Sequence, residues 1–253
     1  MLEIVQIPVL QDNFIYLARA PSGAVAVVDP AVAEPVLAEA DKRGWKITHI
    51  LNTHHHGDHV GGNLEIKAAT GCTIVGATHD HGRIPGVDVE ISGGDVYDFG
   101  GEKAEVFFVP GHTSGHIAFW FKDSAALFCG DTIFSIGCGR VLEGTPAQMW
   151  DSLVRLRALP AETRIYCAHE YTASNIRFAV TVDPRNAALR RREAEVTDLR
   201  AHGKWTVPST IGEERAANPF FRADAPELAA AVGMAGRAPV DVFAEVRERK
   251  NNF

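Results

Sequence analysis

The stretch LNTHHHGDHVGGN, residues 51–63, concentrates four histidines and one aspartate within six consecutive positions. The run before it, ITHIL, is rich in β-branched and apolar residues and predicts a strand that ends here. Residues two apart in an extended segment point the same way, so His54 and His56 form a natural pair of metal ligands. The chain then turns at a glycine, after which Asp58 and His59 diverge and can address a second point nearby.

The same arrangement recurs after three later strand-like runs. AEVFFVPG leads into His112, AALFCG into Asp131, and RIYCA into His169. Because ligand sites of α/β sheets form at the carboxyl ends of strands, we expect these side chains to meet. Imidazole and carboxylate groups together suit zinc, iron or manganese. The predicted metal ligands are His54, His56, Asp58, His59, His112, Asp131 and His169.

The remaining histidines of these motifs are expected to have other roles. His55 should face away from its neighbours and pack or form hydrogen bonds. His79 and His81, in THDH, precede the turn-rich stretch GRIPGVD with no strand run feeding them, which predicts a loop without a metal role. His116 opens the run HIAFWF and is expected to form hydrogen bonds beside the site, as residues around metal ligands commonly do.

Composition favours an ordinary globular protein. The chain has 253 residues, 46% of them hydrophobic and 23% charged, and no apolar run long enough to span a membrane. The N-terminus lacks the basic start and apolar stretch of a signal peptide, so a cytoplasmic location is expected. A net charge of −7 argues against nucleic acid or an anionic membrane as partner. Four cysteines without a C-x-x-C pair predict buried, reduced thiols.

Two regimes divide the chain. Up to residue 171 short strand-like runs alternate with helical ones, whereas the later segments look helical, among them NAALRRREAEVTDLRAHG and DVFAEVRERKNN. This pattern predicts an α/β catalytic domain over residues 1–171 and a smaller helical domain over residues 172–253. A monomer that acts on a small molecule is expected.

The motifs THHHGDH, GHTSGH, GDTIF and CAHE, in that order, resemble those of the metallo-β-lactamase superfamily. Longer stretches such as GDTIFSIGCGR, CAHEYTASNIRFA and the ending VRERKNNF are similar to the glyoxalase II (hydroxyacylglutathione hydrolase) family over nearly the whole chain. The resemblance implies an αββα sandwich with a smaller C-terminal helical domain that binds glutathione. It also implies hydrolysis of S-(2-hydroxyacyl)glutathione, chiefly S-D-lactoylglutathione, to glutathione and D-lactate, the second step of methylglyoxal detoxification.

The resemblance further implies two divalent metal ions per chain, with zinc expected and iron or manganese compatible. One ion would be held by three histidines, the other by an aspartate and two histidines, with a shared carboxylate between them: His54, His56 and His112; Asp58, His59 and His169; and Asp131. A carboxylate between two cations offsets their repulsion. Asp58 is also expected to orient the metal-bound hydroxide that attacks the thioester.

Four residues are implied to bind the glutathione portion: Arg140, Tyr171, Arg247 and Lys250. Arg247 and Lys250 lie three apart on a predicted helix and therefore share one face. Leu142 stands where the family has an aromatic residue. This departure is expected to affect glutathione affinity or substrate range rather than the chemistry.

Other members of the superfamily fit the sequence less well. A lactam hydrolase usually lacks an aspartate at the position of Asp131, and a persulfide dioxygenase uses one iron and ends differently. A nuclease would need a basic groove for phosphates, whereas the basic segment PRNAALRRREAEVTDLR is interleaved with acidic residues at helical spacing. A non-catalytic metal-bound module that binds glutathione conjugates or a protein would need its open metal positions blocked, and no residue of the ligand set suggests this.

Overall fold

A computed structural model describes residues 1–253, in which two six-stranded sheets form the main body. The first sheet runs in chain order, and its first three strands are antiparallel while the later pairs are parallel. Its strands are β1 (Glu3–Val9), β2 (Asn13–Arg19), β3 (Val25–Val28), β4 (Ile47–Leu51), β5 (Thr73–Ala77) and β6 (Val89–Ile91). Its helices are α1 (Glu34–Arg43), α2 (Gly57–Val60) and α3 (Asn63–Thr70).

The second sheet takes its strands from the middle of the chain and one short strand from the C-terminal part. The strands that follow are β7 (Val96–Phe99), β8 (Glu102–Phe108), β9 (Ile117–Phe121), β10 (Ala126–Gly130), β11 (Ile133–Phe134), β12 (Gly137–Cys138), β13 (Arg164–Cys167) and β14 (Ser209–Thr210). The sheet order is β14-β13-β10-β9-β8-β7, and β11 and β12 form a separate hairpin. Only β10 and β13 pair in parallel within this sheet.

Alternation along β2 shows why the sheets stack. Phe14 and Tyr16 face the large core between the two sheets, while Ile15 and Leu17 face a second core on the other side. Helices α1 and α3 contribute to that second core. Each fully buried side chain of this size stabilises the fold by about 1.5–3 kcal/mol. A strand that is apolar on both faces must be covered twice, which produces the expected αββα sandwich.

The C-terminal part is helical apart from β14, and α4 lies before it in the chain. The remaining helices are α4 (Pro146–Arg157), α5 (Thr172–Val182), α6 (Ala187–Ala201), α7 (Ile211–Ala217), α8 (Pro226–Ala231) and α9 (Pro239–Asn251). Helix α9 packs on α4, where the rings of Trp150 and Phe243 lie 6.0 Å apart. Phe220 and Phe243 join the large core between the sheets. The predicted division after residue 171 stays a prediction, since the two parts share this core.

Two further sequence expectations concern membranes and thiols. No helix has both the length and the apolar character needed to cross a bilayer. All four cysteines are buried and unpaired, in agreement with their predicted burial, and their reduced state stays a prediction.

Candidate metal centre and substrate cleft

Three histidines from two loops meet at one edge of the sandwich. His54 and His56 follow β4, and His112 follows β8. The Nδ1 atom of His56 lies 3.1 Å from Nε2 of His54 and 3.1 Å from Nε2 of His112. The Nδ1 atom of His112 donates to the carbonyl of Arg140 at 2.9 Å. A carbonyl only accepts, so this bond leaves Nε2 of His112 with a lone pair for a cation.

A second group forms beside the first. Asp58 and His59 lie on the single turn of α2, and His169 follows β13. The Nε2 atoms of His59 and His169 lie 3.8 and 3.5 Å from Oδ2 of Asp58. Asp58 and His59 join His169 in this second group, although the ring of His59 also lies close to that of His54. Their role as ligands of a second metal stays a prediction. Each of the two groups keeps its potential ligand atoms within 4.8 Å of one another.

Asp131 lies between the two groups. Its Oδ1 is 3.5 Å from Nε2 of His59 and 3.4 Å from Nε2 of His169. Its Oδ2 is 3.4 Å from Nε2 of His112. The preceding residue, Gly130, has φ of +48°, a conformation that side chains disfavour, so glycine is needed to turn Asp131 inward at the end of β10. One carboxylate therefore faces both groups.

The donor set fits divalent cations. The Nε2 atom of His59 and Oδ1 of Asp131 are buried and have no hydrogen-bond partner in the protein. A buried polar atom without a partner costs about 1–3 kcal/mol, so atoms left this way point to an absent partner. A metal ion would be that partner, because imidazole nitrogens and carboxylate oxygens at this spacing are typical metal ligands. All seven predicted ligands are brought together by the fold: His54, His56, Asp58, His59, His112, Asp131 and His169.

Burial and neighbouring charges set the protonation of the cluster. Burial, followed by the adjacent histidines, holds the pKa of His54 well below its usual value. Burial would raise the pKa of Asp131, but the charges of His59 and His169 outweigh it and lower that pKa. Burial likewise opposes the positive charge of His59, yet Asp131 and Asp29 raise its pKa to about 9. A neutral His54 and an ionised Asp131 are the forms that bind cations, whereas His59 would lose its Nε2 proton when a cation binds.

Carboxylates outside the ligand set orient the ligand rings, and sequence reasoning did not single them out. Oδ2 of Asp29 lies 3.1 Å from Nδ1 of His59, and Oδ1 of Asp12 lies 2.9 Å from Nδ1 of His169. Such carboxylate–histidine pairs fix the tautomer so that Nε2 can bind a metal. Asp29 directly follows β3, so the strand-end rule that selected the ligands would also have selected it.

The other histidines can now be placed. His116 accepts a hydrogen bond from the backbone N–H of Asp131 at 3.2 Å, which confirms its predicted role beside the site. The statement that no strand feeds THDH is wrong, because β5 ends at the residue before Thr78. The side chains still lie outside the cluster: His79 stacks on Phe108, and His81 pairs with Glu90. A strand end delivers a residue to the sheet edge but does not decide where its side chain points.

A cleft of about 700 Å³ opens above this centre, and the predicted metal ligands His112 and Asp131 form part of its wall. The four predicted glutathione-binding residues line it as well: Arg140, Tyr171, Arg247 and Lys250. Arg177, which sequence reasoning missed, also lines the cleft. It lies three residues after Ser174 on α5, and both side chains line the cleft, as one helix face allows.

The cleft is strongly cationic. None of Arg140, Arg177, Arg247 and Lys250 forms an ion pair with a carboxylate, although most other arginines of the chain do. Burial, followed by the charges of Arg247, Arg177 and Arg140, lowers the pKa of Lys250 to about 8. Cations crowded together without an anion form a site for an anionic ligand.

Two of these residues are also held by the protein. Arg247 is buried, and its Nε and Nη1 donate to Asn251 and to the carbonyl of Cys138, both at 3.0 Å, which leaves Nη2 for a ligand. Tyr171 stacks flat on the ring of His169 with centroids 4.7 Å apart. Leu142, where the family was expected to have an aromatic residue, is 57% exposed and does not line the cleft.

Comparison with known proteins identifies the family to which this site geometry belongs. Residues 9–169 match the family model of the metallo-beta-lactamase superfamily, and residues 170–253 match that of the hydroxyacylglutathione hydrolase C-terminus. A hydroxyacylglutathione hydrolase of Methylococcus capsulatus is 62% identical over 100% of this chain and 99% of the relative. The chain belongs to the hydroxyacylglutathione hydrolase family. It is therefore a thioester hydrolase with the metallo-β-lactamase fold.

Solved structures agree with the fold of this hydroxyacylglutathione hydrolase family member. The structure of ETHE1 from Myxococcus xanthus superposes with a TM-score of 0.71 at 24% identity, covering 98% of this chain and 91% of that chain. A protein named TTHA1623, solved in a di-iron-bound form, gives a TM-score of 0.57 at 29% identity over 66% of this chain and 91% of its own. The cluster of histidines and aspartates is compatible with a binuclear metal site.

Proposed function

We propose that this enzyme hydrolyses S-(2-hydroxyacyl)glutathione, chiefly S-D-lactoylglutathione, and releases glutathione and D-lactate, the second step of methylglyoxal detoxification. One observation carries the proposal: a single cleft joins the histidine–carboxylate cluster to four cations that have no carboxylate partner. The cluster supports hydrolysis at one end, and the cations support recognition of an anionic carrier at the other. The curated relatives are named for this activity.

We assign two divalent metal ions to the cluster, with zinc as the expected metal. The ligands would be His54, His56 and His112 for one ion, Asp58, His59 and His169 for the other, and Asp131 for both. When bound, such ions would lower the pKa of a coordinated water from about 15.7 towards 7 and would polarise the thioester carbonyl. Compatibility with iron or manganese follows from the same ligand types.

Asp58 is the residue that we assign to orienting the attacking water. Its Oδ2 accepts a hydrogen bond from Nδ2 of Asn13 at 3.1 Å, so the carboxylate is held in one orientation. Asp12 keeps the ring of His169 in place from behind at 2.9 Å. A nucleophile held in line with the carbonyl needs less ordering at the moment of attack.

The leaving group asks little of the protein. The thiol of glutathione has an ordinary pKa of about 8.5, so its thiolate can leave without a strong general acid. Burial raises the pKa of the Tyr171 hydroxyl, which therefore stays protonated and can donate a hydrogen bond to the substrate. The flat stack of Tyr171 on His169 supports a position between the metal centre and the glutathione portion.

Glutathione presents carboxylates at both ends, and the glycyl carboxylate has no ammonium group beside it. Lys250 and Arg247 project from α9, while Arg177 projects from α5 and Arg140 from the loop after β12. This all-cationic lining favours the glycyl end of the tripeptide. Charge-assisted hydrogen bonds to a carboxylate contribute about 1.5–3 kcal/mol each.

We further propose that the enzyme acts as a cytoplasmic monomer on this small molecule and not on nucleic acid. The net charge of −7 supports the absence of a polyanionic partner. The cytoplasmic location is supported by the presence of glutathione in the cytosol, because the proposed substrate is formed from glutathione.

Hydrolysis of S-D-lactoylglutathione by the purified protein tests the proposal, with metal content measured on the same sample. S-Lactoyl-N-acetylcysteamine, which carries the same acyl group without the tripeptide, is the matched substrate. We expect fast turnover of the glutathione thioester only, with about two metal ions per chain. Equal turnover of both thioesters would contradict the role of the cationic cleft. Bound metal without turnover of either thioester would contradict the proposed substrate class.

A further inference from the structure

A polar network lies next to the three-histidine group, and none of its residues lines the cleft. Its members come from separate loops and are His55, Asp80, Arg83, Ser114 and Glu143. None of them is a predicted metal ligand. His55 belongs to this network, in agreement with its expected direction away from His54 and His56.

Arg83 is the centre of the network. Its Nη1 donates to Oγ of Ser114 at 2.9 Å and lies 3.2 Å from Oδ1 of Asp80. Its Nη2 contacts Nε2 of His55 and Oε1 of Glu143. Glu143 in turn accepts hydrogen bonds from the backbone N–H and the hydroxyl of Ser114, both at 2.8 Å. One planar guanidinium thus joins several loops, which a single ammonium group cannot do with the same geometry.

Three of the segments that Arg83 joins carry or contact residues of the three-histidine group. His55 lies between the ligands His54 and His56, and Ser114 is two residues after the ligand His112. Glu143 lies on the segment whose Arg140 carbonyl accepts from the ring of His112 at 2.9 Å. The three-histidine group exists only while these loops stay together, because His56 and His112 belong to different loops.

Asp80 fixes Arg83 in this position. Its carboxylate is buried and sits against the backbone of Gly115, where any Cβ would come within 2.1 Å of Oδ1. The compensating charge is that of Arg83, and Nδ1 of His55 lies 3.6 Å from the same oxygen. A buried carboxylate without its cation is strongly unfavourable, so Asp80 holds the guanidinium at the junction of the loops.

We infer that Arg83 is a positioning residue that sets the distance between His56 and His112 and thereby the metal affinity of the three-histidine group. The inference rests on the two-metal assignment of the proposed function and not on the identity of the substrate. The group formed by Asp58, His59 and His169 receives no contact from Arg83, and its rings are oriented by Asp29 and Asp12. Loss of Arg83 should therefore weaken one metal site selectively.

The test is a Zn²⁺ titration of the metal-free full-length chain against a chromophoric chelator, for the wild type, Arg83→Gln and Arg83→Lys. The wild type should bind two equivalents. In Arg83→Gln one equivalent should bind about 10- to 100-fold more weakly, the range typical of lost support behind a ligand, while the other is unchanged. Arg83→Lys, which keeps the charge without the planar fork, should fall between the two. Turnover of Arg83→Gln should recover with excess Zn²⁺.

Arg19→Gln is the matched control, since Arg19 pairs with Glu3 at the end of β2 and is remote from the ligands in the sheet. Both of its equivalents should bind as in the wild type. Unchanged Zn²⁺ affinities in Arg83→Gln would overturn the inference, and so would equal weakening of both equivalents with a lowered Tm of the metal-free chain. Fewer than two equivalents in the wild type would overturn the metal assignment itself, a failure seen before any substitution is made.

Discussion

The metal centre and the cationic cleft share one opening but are built differently. The ligands of the centre lie at strand ends, are mostly buried, and have rings oriented by hydrogen bonds to Asp29, Asp12 and a backbone carbonyl. The cations of the cleft lie mainly on helices, and both Arg140 and Arg177 are exposed. The side chains of the metal centre are therefore preorganised, whereas the cations of the cleft are unpaired and available to an anionic ligand. Substitutions in the two regions should separate into effects on metal and kcat and effects on KM.

Asp131→Ala should give the largest effect, since one carboxylate faces both ligand groups. We expect loss of metal and a fall in kcat on the order of a thousandfold, because metal ions contribute several kcal/mol to stabilising the transition state. Metal analysis and steady-state kinetics on the same sample measure this.

His79→Ala is the control for that substitution, because His79 stacks on Phe108 outside the cluster. Its metal content and kcat should match those of the wild type. Near-normal turnover in Asp131→Ala would remove the carboxylate from its proposed place between the metals.

Lys250→Ala should affect the cleft alone. Loss of a charge-assisted contact of about 1.5 kcal/mol corresponds to a roughly tenfold higher KM for S-D-lactoylglutathione, with kcat and metal content unchanged. The exposed Lys204, which has no ion pair, provides the control variant Lys204→Ala with unchanged KM. If KM in Lys250→Ala equals that of the wild type, the tail of α9 does not belong to the substrate site.

The pH dependence of KM sharpens the same contrast. Burial and the neighbouring arginines lower the pKa of Lys250 to about 8, so it is charged below that pH and neutral above it. Binding of a carboxylate requires the charged form, and KM should therefore rise about fivefold between pH 7 and pH 9. Lys250→Arg, which stays charged, should show a flat KM over this range. A parallel rise in both proteins would assign the titration to another group.

Arg177→Ala should give the smallest effect. Arg177 is exposed, and screening by water limits such a contact to about 0.2–1 kcal/mol, equivalent to at most a fivefold rise in KM. The rise should shrink at high salt, unlike that of Lys250→Ala, because Lys250 is partly buried. Kinetics at low and high ionic strength check this difference, and an effect larger than that of Lys250→Ala would reverse the proposed order of the two cations.

Local pattern was enough to predict the histidines and aspartates that the fold brings together. Period-two alternation paired His54 with His56, and strand-end positions selected His112, Asp131 and His169. These deductions work because a strand fixes both the direction and the end point of its residues. Asp29 also follows a strand, but it was not predicted from the sequence to be part of the site. Arg177 was missed because it lies within a helix and not at a strand end.

The sequence by itself therefore determined the family, the αββα architecture and the set of side chains proposed as metal ligands, because each depends on short motifs and on local alternation. Tertiary structure decided which atoms face one another. It placed Asp131 between the two groups, gathered the unpaired cations in one cleft, and joined His55 to Arg83. These contacts bridge distant segments, as in the pair of Asp12 and His169, separated by 157 positions. Such pairs depend on how the two sheets pack, which no local pattern encodes.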